Sequence, residues 1–299
     1  MMKSMKTEEN VIKAFIHVLL IVGAITMLAP FIWMMLTSFK TKLEAVDSTI
    51  LWPGKLTLQS ISLAWKSSAS FGDFLNTIFI NYTTAWHKAP FFQYFLNTVF
   101  VAIACTVLQL ITSSLAAYAF SFMNFHGKDF LFALLMGTMM VPQQVLLVPD
   151  YFILKQLGWL NSFLALIVPW CAGFFGIFLL RQFFMTLPKD LWDAARIDGC
   201  SRFKFFYKIL LPLSTAPLTT IAIFTFVGNW NSFLWPLFVT NDQTFYTLQV
   251  GLSNFNQAEG TQWELLMAAS TFCILPLLIL FFFAQKQFIQ GIAHTGSKE

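Results

Sequence analysis

Charge is what this chain has least of. Only 11% of its 299 residues are Asp, Glu, Lys or Arg, less than half the share usual in a globular domain. Its four histidines, His17, His87, His126 and His294, share no acidic partner at a useful spacing. Its four cysteines, Cys105, Cys171, Cys200 and Cys273, lack the spacing of a metal site, and three fall in apolar runs, where they read as small buried residues. There is no Walker A loop, no dinucleotide-binding glycine fingerprint, no HExxH and no nucleophile elbow. These absences exclude the familiar routes to catalysis, and they mean that any ATP used on the chain's behalf is handled by a different chain. The net charge of +4 makes no basic surface on a soluble domain, which excludes nucleic acid as a partner.

What is there is apolar. Hydrophobic residues make up 57% of the chain, with 36 Phe and 10 Trp and a mean hydropathy of +0.68. A fold of this length cannot hide that much apolar surface from water. The expected class is all-α, a polytopic membrane protein. Six runs have spanning length: 14–36, 95–120, 130–148, 160–180, 215–239 and 263–284. The first is long enough to stay as an anchor after a polar segment at 1–13, and Pro30 is placed to kink it. Residues 37–92 hold no such run; their most apolar stretch, 71–80, reads as an interfacial or buried element, and Trp65, Tyr82, Trp86 and Tyr94 suit an interfacial belt. The string FLNTIF at 74–79 returns as FLNTVF at 95–100, one echo and not a repeat architecture. Asn81, Tyr82 and Thr83 match a glycosylation acceptor pattern, read here as a chance match.

Six spans put both termini on one side, together with a long polar loop at 187–213. That side would carry twelve Lys and Arg: Lys3, Lys6, Lys13, Lys128, Arg181, Lys189, Arg196, Arg202, Lys204, Lys208, Lys286 and Lys298. The other would carry six, Lys40, Lys42, Lys55, Lys66, Lys88 and Lys155, and the loop between the last two spans has none. The positive-inside rule therefore places the termini and the 187–213 loop in the cytoplasm.

That loop reads as a short polar helix between spans. Pro188 sits near its start, Asp190 suits the N-cap, Asp193 adds favourable charge to the first turn and Gly199 suits the stop. Ala194 and Ala195 make one side small, so another surface could approach closely. The basic, aromatic run at 202–208 is expected to lie at the membrane surface with Phe inward and Lys toward lipid phosphates.

The spans hold almost no ionisable residue, which disfavours an ion-coupled carrier and a membrane-embedded enzyme. They offer amides, hydroxyls and rings instead: Asn97, Gln109, Thr112, Ser113, Gln143, Gln144, Asn229, Trp230, Asn231 and Trp235. Such a lining suits a neutral polyhydroxylated solute, although each of these residues could equally join helices together. Asn229, Trp230 and Asn231, near the middle of their run, are the leading candidates, with Trp235, Gln143 and Gln144.

The order Asp193, Ala194, Ala195, then Asp198 and Gly199, nine residues, then Ile209, Leu211 and Pro212 resembles the EAA loop of binding-protein-dependent ABC importer permeases. The family usually has Glu where this chain has Asp193, which keeps the charge and shortens the arm by one methylene. A likeness to the carbohydrate, maltose-type group extends to Pro142 and Pro149, to FLLRQFF at 178–184, to Trp230, Asn231, Trp235 and Pro236, and to QKQFIQG at 285–291. The tail at 291–299 only approximates the family ending.

The resemblance implies an importer permease fold: a core at 93–290, preceded by a first span at 14–36 and an extracytoplasmic segment at 37–92, in a bacterial cell membrane. It implies a half-transporter that forms a heterodimer with a second, homologous permease, sits on two ATPase subunits that hold ATP and Mg, and receives solute from an extracytoplasmic binding protein. The residues from Asp193 to Gly199, with Ile209, Leu211 and Pro212, would couple to the ATPase, and the chain itself would bind no cofactor. The solute would be a sugar or oligosaccharide; a polyol, glycerol phosphate or peptide is the alternative.

Overall fold

A computed structural model describes residues 2–296, apart from 48, 69, 189 and 258–259. Lys189, Lys298 and the end of the expected tail, 297–299, thus lie outside the described residues. The chain divides into two compact units, Met1–Pro90 with Leu252–Leu275 and Phe91–Gly251 with Pro276–Glu299. Helices dominate both; a two-residue antiparallel ladder pairs Asn256 with Thr261 and Gln257 with Gly260.

The first unit begins with α1, Met2–Ser38, which contains Pro30. Its apolar stretch, Ile12–Ser38, has a mean hydropathy of 2.4 and is exposed within the chain until its last few residues, where Thr37 and Ser38 are buried. Short helices follow: α2 (Lys42–Val46), α3 (Leu58–Ser67), α4 (Phe71–Ile78) and α5 (Ile80–Lys88). A buried polar knot ties them to the end of α1. Lys40, 1% exposed, lies over the Trp33 ring at 4.4 Å and donates Nζ to the Ile50 carbonyl at 2.5 Å. Asn81 donates its amide to the Ser38 and Lys40 carbonyls, both at 2.7 Å, so its side chain is spent inside and is no glycosylation acceptor. Tyr82 and Trp86 meet Phe272 edge to face.

The second unit is built on α6, Phe91–Phe122, a 32-residue helix without Gly, Pro or charge. Then come α7 (Lys128–Thr138), α8 (Gln143–Gln156), α9 (Phe163–Ile167), α10 (Phe174–Thr186), α11 (Asp190–Ile197), α12 (Arg202–Phe205), α13 (Leu211–Leu213), α14 (Thr215–Trp230), α15 (Leu234–Val239) and α16 (Leu248–Ser253). The last helix, α17 (Trp263–Gly296), contains Pro276 and belongs to the first unit as far as Leu275. Among the described residues four stretches are long and apolar enough to cross a membrane, and counting each of two bent helix pairs as one span brings the number to six.

Helices α6, α10 and α14 form the centre, and small residues let them approach. A Cβ placed on Gly176 would sit 2.6 Å from Ser113 Oγ and 3.4 Å from Ile221 Cγ2, so only glycine fits there. Side chains of α6 also satisfy backbone that the chain leaves unpaired elsewhere. Thr112 donates to the Cys171 carbonyl at 2.8 Å in the break before α10, and Asn97 donates to the Thr244 and Tyr246 carbonyls at 2.7 and 3.0 Å. These polar residues join segments, the second of the two roles open to them from sequence.

The expected spans at 130–148 and 215–239 are not single helices. The first breaks after α7, and α8 leaves it at 99°. Pro142 has no N–H to continue the ladder and disfavours helix at Val141. The carbonyls so freed are partly recaptured by tight turns, Met139, Met140 and Val141 donating to Met136, Gly137 and Thr138 at 3.1–3.3 Å. The second run breaks at 231–233 ahead of Pro236. Its helix α14 instead pairs with the preceding 202–213 stretch, bent by 78°.

A candidate docking helix and a polar cavity

Helix α11 carries the loop motif. Acidic Asp190 and Asp193 occupy its first turn and Arg196 its last, the arrangement that complements the helix dipole. Asp190 is the first helical residue, not the cap expected from sequence, and Lys189 before it lies outside the described residues. The other end is a complete Schellman motif. Gly199 adopts φ +71°, its N–H bonds to the Arg196 carbonyl at 3.0 Å, and the Cys200 N–H reaches back to the Ala195 carbonyl at 2.9 Å.

One correction concerns the small face. Ala195 is 5% exposed and belongs to a core cluster with Leu180, Phe184, Phe205, Phe206 and Leu210. Leu191 and Trp192 pack on the same cluster, so this face of α11 points into the protein. Ala194, Asp193, Asp198 and Gly199 are exposed, and with them Ile197 at 87%. An isoleucine that bare on a polar helix is a feature that the motif alone does not single out. Its signal was present, a β-branched apolar residue three places after Ala194 and about 200° around the helix from Ala195.

The motif's second half positions the first. Ser201 caps α12 through the Lys204 N–H, and a π-helical turn, Phe206–Leu210, follows immediately. Pro212 removes the N–H that would serve the Lys208 carbonyl, and Ser214 returns its hydroxyl to the Leu210 carbonyl at 2.6 Å. The wide turn brings both Phe205 and Phe206 inside and leaves Arg202, Phe203, Lys204 and Lys208 exposed. Phe205 packs edge to face on Trp192 and Phe122 at 4.9 and 5.5 Å, and the Tyr118 hydroxyl donates to the Arg202 carbonyl at 3.3 Å. Ile209 and Leu211 are half-buried against the same cluster, behind α11, while Pro212 is exposed.

Three interrupted segments converge on a cavity of about 380 Å³. Gln143, Leu147 and Asp150 line it from one face of α8, with Gln144 beside them; Trp170 comes from the turn after α9; Gly228, Asn231, Ser232, Phe233, Leu234 and Trp235 come from the α14–α15 break. Irregular backbone at membrane depth is tolerated where it lines such a space. Of the sequence candidates, Gln143, Gln144, Asn231 and Trp235 meet here. Trp235 donates Nε1 to the Ala165 carbonyl at 2.9 Å and meets Trp170 edge to face at 5.7 Å, so its ring serves as a fixed wall.

The other two candidates lie elsewhere. Trp230, 1% exposed, packs on Phe95 and Phe226, and Asn229 bonds to the Thr225 carbonyl at 2.8 Å in its own helix. They were placed near mid-span because the apolar run continues through 239; the helix in fact stops at Trp230. Asp150, which sequence reading passed over because it falls just beyond an apolar run, supplies the cavity's one ionisable side chain among the described residues.

Over residues 6–294 the chain matches the family described as binding-protein-dependent transport system inner membrane component. It is 33% identical over 285 residues to the probable ABC transporter permease protein YurM of Bacillus subtilis, covering 95% of this chain and 88% of that protein. It is 33% identical over 290 residues to the sn-glycerol-3-phosphate transport system permease protein UgpE of Yersinia enterocolitica, covering 94% and 96%. The arabinooligosaccharides transport system permease protein AraQ of Halalkalibacterium halodurans is 37% identical over 198 residues, 66% of this chain and 71% of that one. In fold it matches a chain of a bacterial ABC transporter involved in the import of the acidic polysaccharide alginate, with a TM-score of 0.77, 21% identity and coverage of 93% and 97%. The chain therefore belongs to the binding-protein-dependent transport system inner membrane component family and is a multi-pass permease subunit of an ABC importer, a transport component and not an enzyme.

Proposed function

We propose that the chain forms half of the pathway for an uncharged sugar or oligosaccharide. The observation that carries this reading is the cavity lining. Three amides, from Gln143, Gln144 and Asn231, and the Asp150 carboxylate offer donors and acceptors to hydroxyls, and the Trp170 and Trp235 rings bound the space. No Lys or Arg lines it among the described residues, and a carboxylate repels an anion. That argues against the phosphorylated and acidic solutes named for UgpE and for the alginate importer.

Coupling, in this reading, runs through the exposed face of α11. Asp193, Ala194, Ile197, Asp198 and Gly199 dock on an ATPase subunit, while Ala195, Ile209, Leu211 and Pro212 make the joint rigid. ATP and Mg are held by two ATPase subunits, whose closure moves α11 and, through the Phe205–Trp192 packing, the spans behind it as a rigid body. The termini and the loop are cytoplasmic, the partner is a second, homologous permease in a heterodimer, and a solute-binding protein delivers from the other side.

Purification of the tagged chain in mild detergent tests the assembly: an ATPase and a distinct six-span chain should co-purify. Ligand screening of the cognate binding protein tests the solute. Preference for a phosphorylated or carboxylated ligand over neutral sugars would overturn that part of the reading.

A further inference from the structure

Arg181 lies in α10, five residues before its end at Thr186 and so close to the membrane face that carries the α11 loop. Its guanidinium covers the Phe132 ring at 4.0 Å, and its Nε is buried with no hydrogen-bond partner. Among the described residues no carboxylate lies within ion-pair distance of it. Lys128 stands one turn before Phe132 on the same side of α7, near enough for the two cations to repel. Lys128 uses one N–H on the Met123 carbonyl at 3.1 Å. Asp129, the adjacent carboxylate, is exposed and offsets Lys128 in part, and His126 is exposed in the turn just before α7. Next to this pair α7 bares apolar side chains, Phe130 at 72%, Leu134 at 58% and Leu131 at 42% exposure.

Two like charges held together at a membrane face are tolerated when an anion bridges them, and the guanidinium fork suits a phosphate. An apolar shoulder directly beside them suits acyl chains. We propose that Arg181 and Lys128 bind the phosphate of an anionic phospholipid in the leaflet next to the docking helix, with its chains along Phe130, Leu131 and Leu134. The site does not involve the solute cavity. It would fix the α6–α7 corner, whose Phe122 packs on Phe205 behind the docking helix.

The test uses the assembled transporter in detergent, titrated separately with phosphatidylglycerol, phosphatidylcholine of the same chains and inorganic phosphate. Retained lipid is read by native mass spectrometry, and thermal midpoint serves as a second readout. Phosphatidylglycerol should be retained at least tenfold more than phosphatidylcholine and should raise the midpoint, while inorganic phosphate should not. Lys128→Gln, at the more accessible cation, should cut retention about threefold while the complex assembles normally, and Arg181→Gln with Lys128→Gln should cut it about tenfold. Undiminished retention in the double variant, equal retention of the two lipids, or a phosphate effect matching that of phosphatidylglycerol would each overturn the proposal.

Discussion

Trp192 and Phe205 meet edge to face with 4.9 Å between ring centroids, and this contact joins the docking helix to the chain that follows it. Trp192 is half-buried, so Trp192→Ala removes the edge contact and much apolar area. The expected cost is about 2 kcal/mol, seen as a lower thermal midpoint of the complex. Uptake should fall with it, and Trp192→Phe should recover most of both.

Ile197 and Ala195 separate docking from folding. Ile197→Asp changes a bare side chain, so stability should move by less than about 0.5 kcal/mol, while uptake and solute-stimulated ATPase fall by roughly tenfold or more. Ala195→Glu puts an unpaired carboxylate in the core, at about 3 kcal/mol or more, and should abolish the folded complex. Assembly by size-exclusion chromatography distinguishes the two; a normally coupled Ile197→Asp transporter contradicts the docking face.

Gly199 closes the Schellman motif at φ +71° with open space where a Cβ would stand. Gly199→Ala should therefore cost about 1–2 kcal/mol from backbone conformation alone, and Gly199→Asn less, because Asn tolerates this region. Differential scanning calorimetry of the three complexes checks the order.

Two polar residues of the second unit should respond differently. Asn231→Ala, in the cavity, should raise the apparent KM for solute by about tenfold with an unchanged thermal midpoint. Thr112→Val orphans the Cys171 carbonyl and should lower stability by about 1–2 kcal/mol with little change in KM.

Acid should loosen the short helices after α1. Partial burial pushes the Glu44 carboxyl up, but hydrogen bonds from the Thr41 amide and hydroxyl and the Gly54 amide, with Lys55 nearby, outweigh it and hold the group below its ordinary value. A lowered folded value means stability that is fully present above the unfolded pKa and lost as pH falls through the folded one. Limited proteolysis of the 41–57 stretch should accelerate below about pH 4, and Glu44→Gln should already be susceptible at neutral pH.

Much of this was legible in the chain itself. A Gly after a short polar helix predicts the left-handed stop, and Gly199 takes it. Long apolar runs predict a polytopic membrane protein, and the order from Asp193 to Pro212 carries the resemblance to a permease. What escaped was decided by packing. Whether Ala194 or Ala195 faces inward depends on where Phe205 and Phe206 arrive, and that is set by a π turn with no simple sequence signature. Pro142 and Pro236 were visible, but unbroken hydrophobicity on either side masked the breaks they cause. The cavity draws on three such breaks, so Asp150 and Trp170 have no common sequence window with Asn231.

The π turn at Phe206–Leu210 sets a phase. Each residue of helix advances the chain by about 100°, and the extra residue held in this turn fixes the azimuth of everything before it relative to α14. Deleting one residue there would restore an ordinary helix and leave every contact residue in the chain. It would also swing the Trp192 side of α11 away from the core and carry Ile197 toward it, giving a transporter complete in composition whose drive surface faces the wrong way.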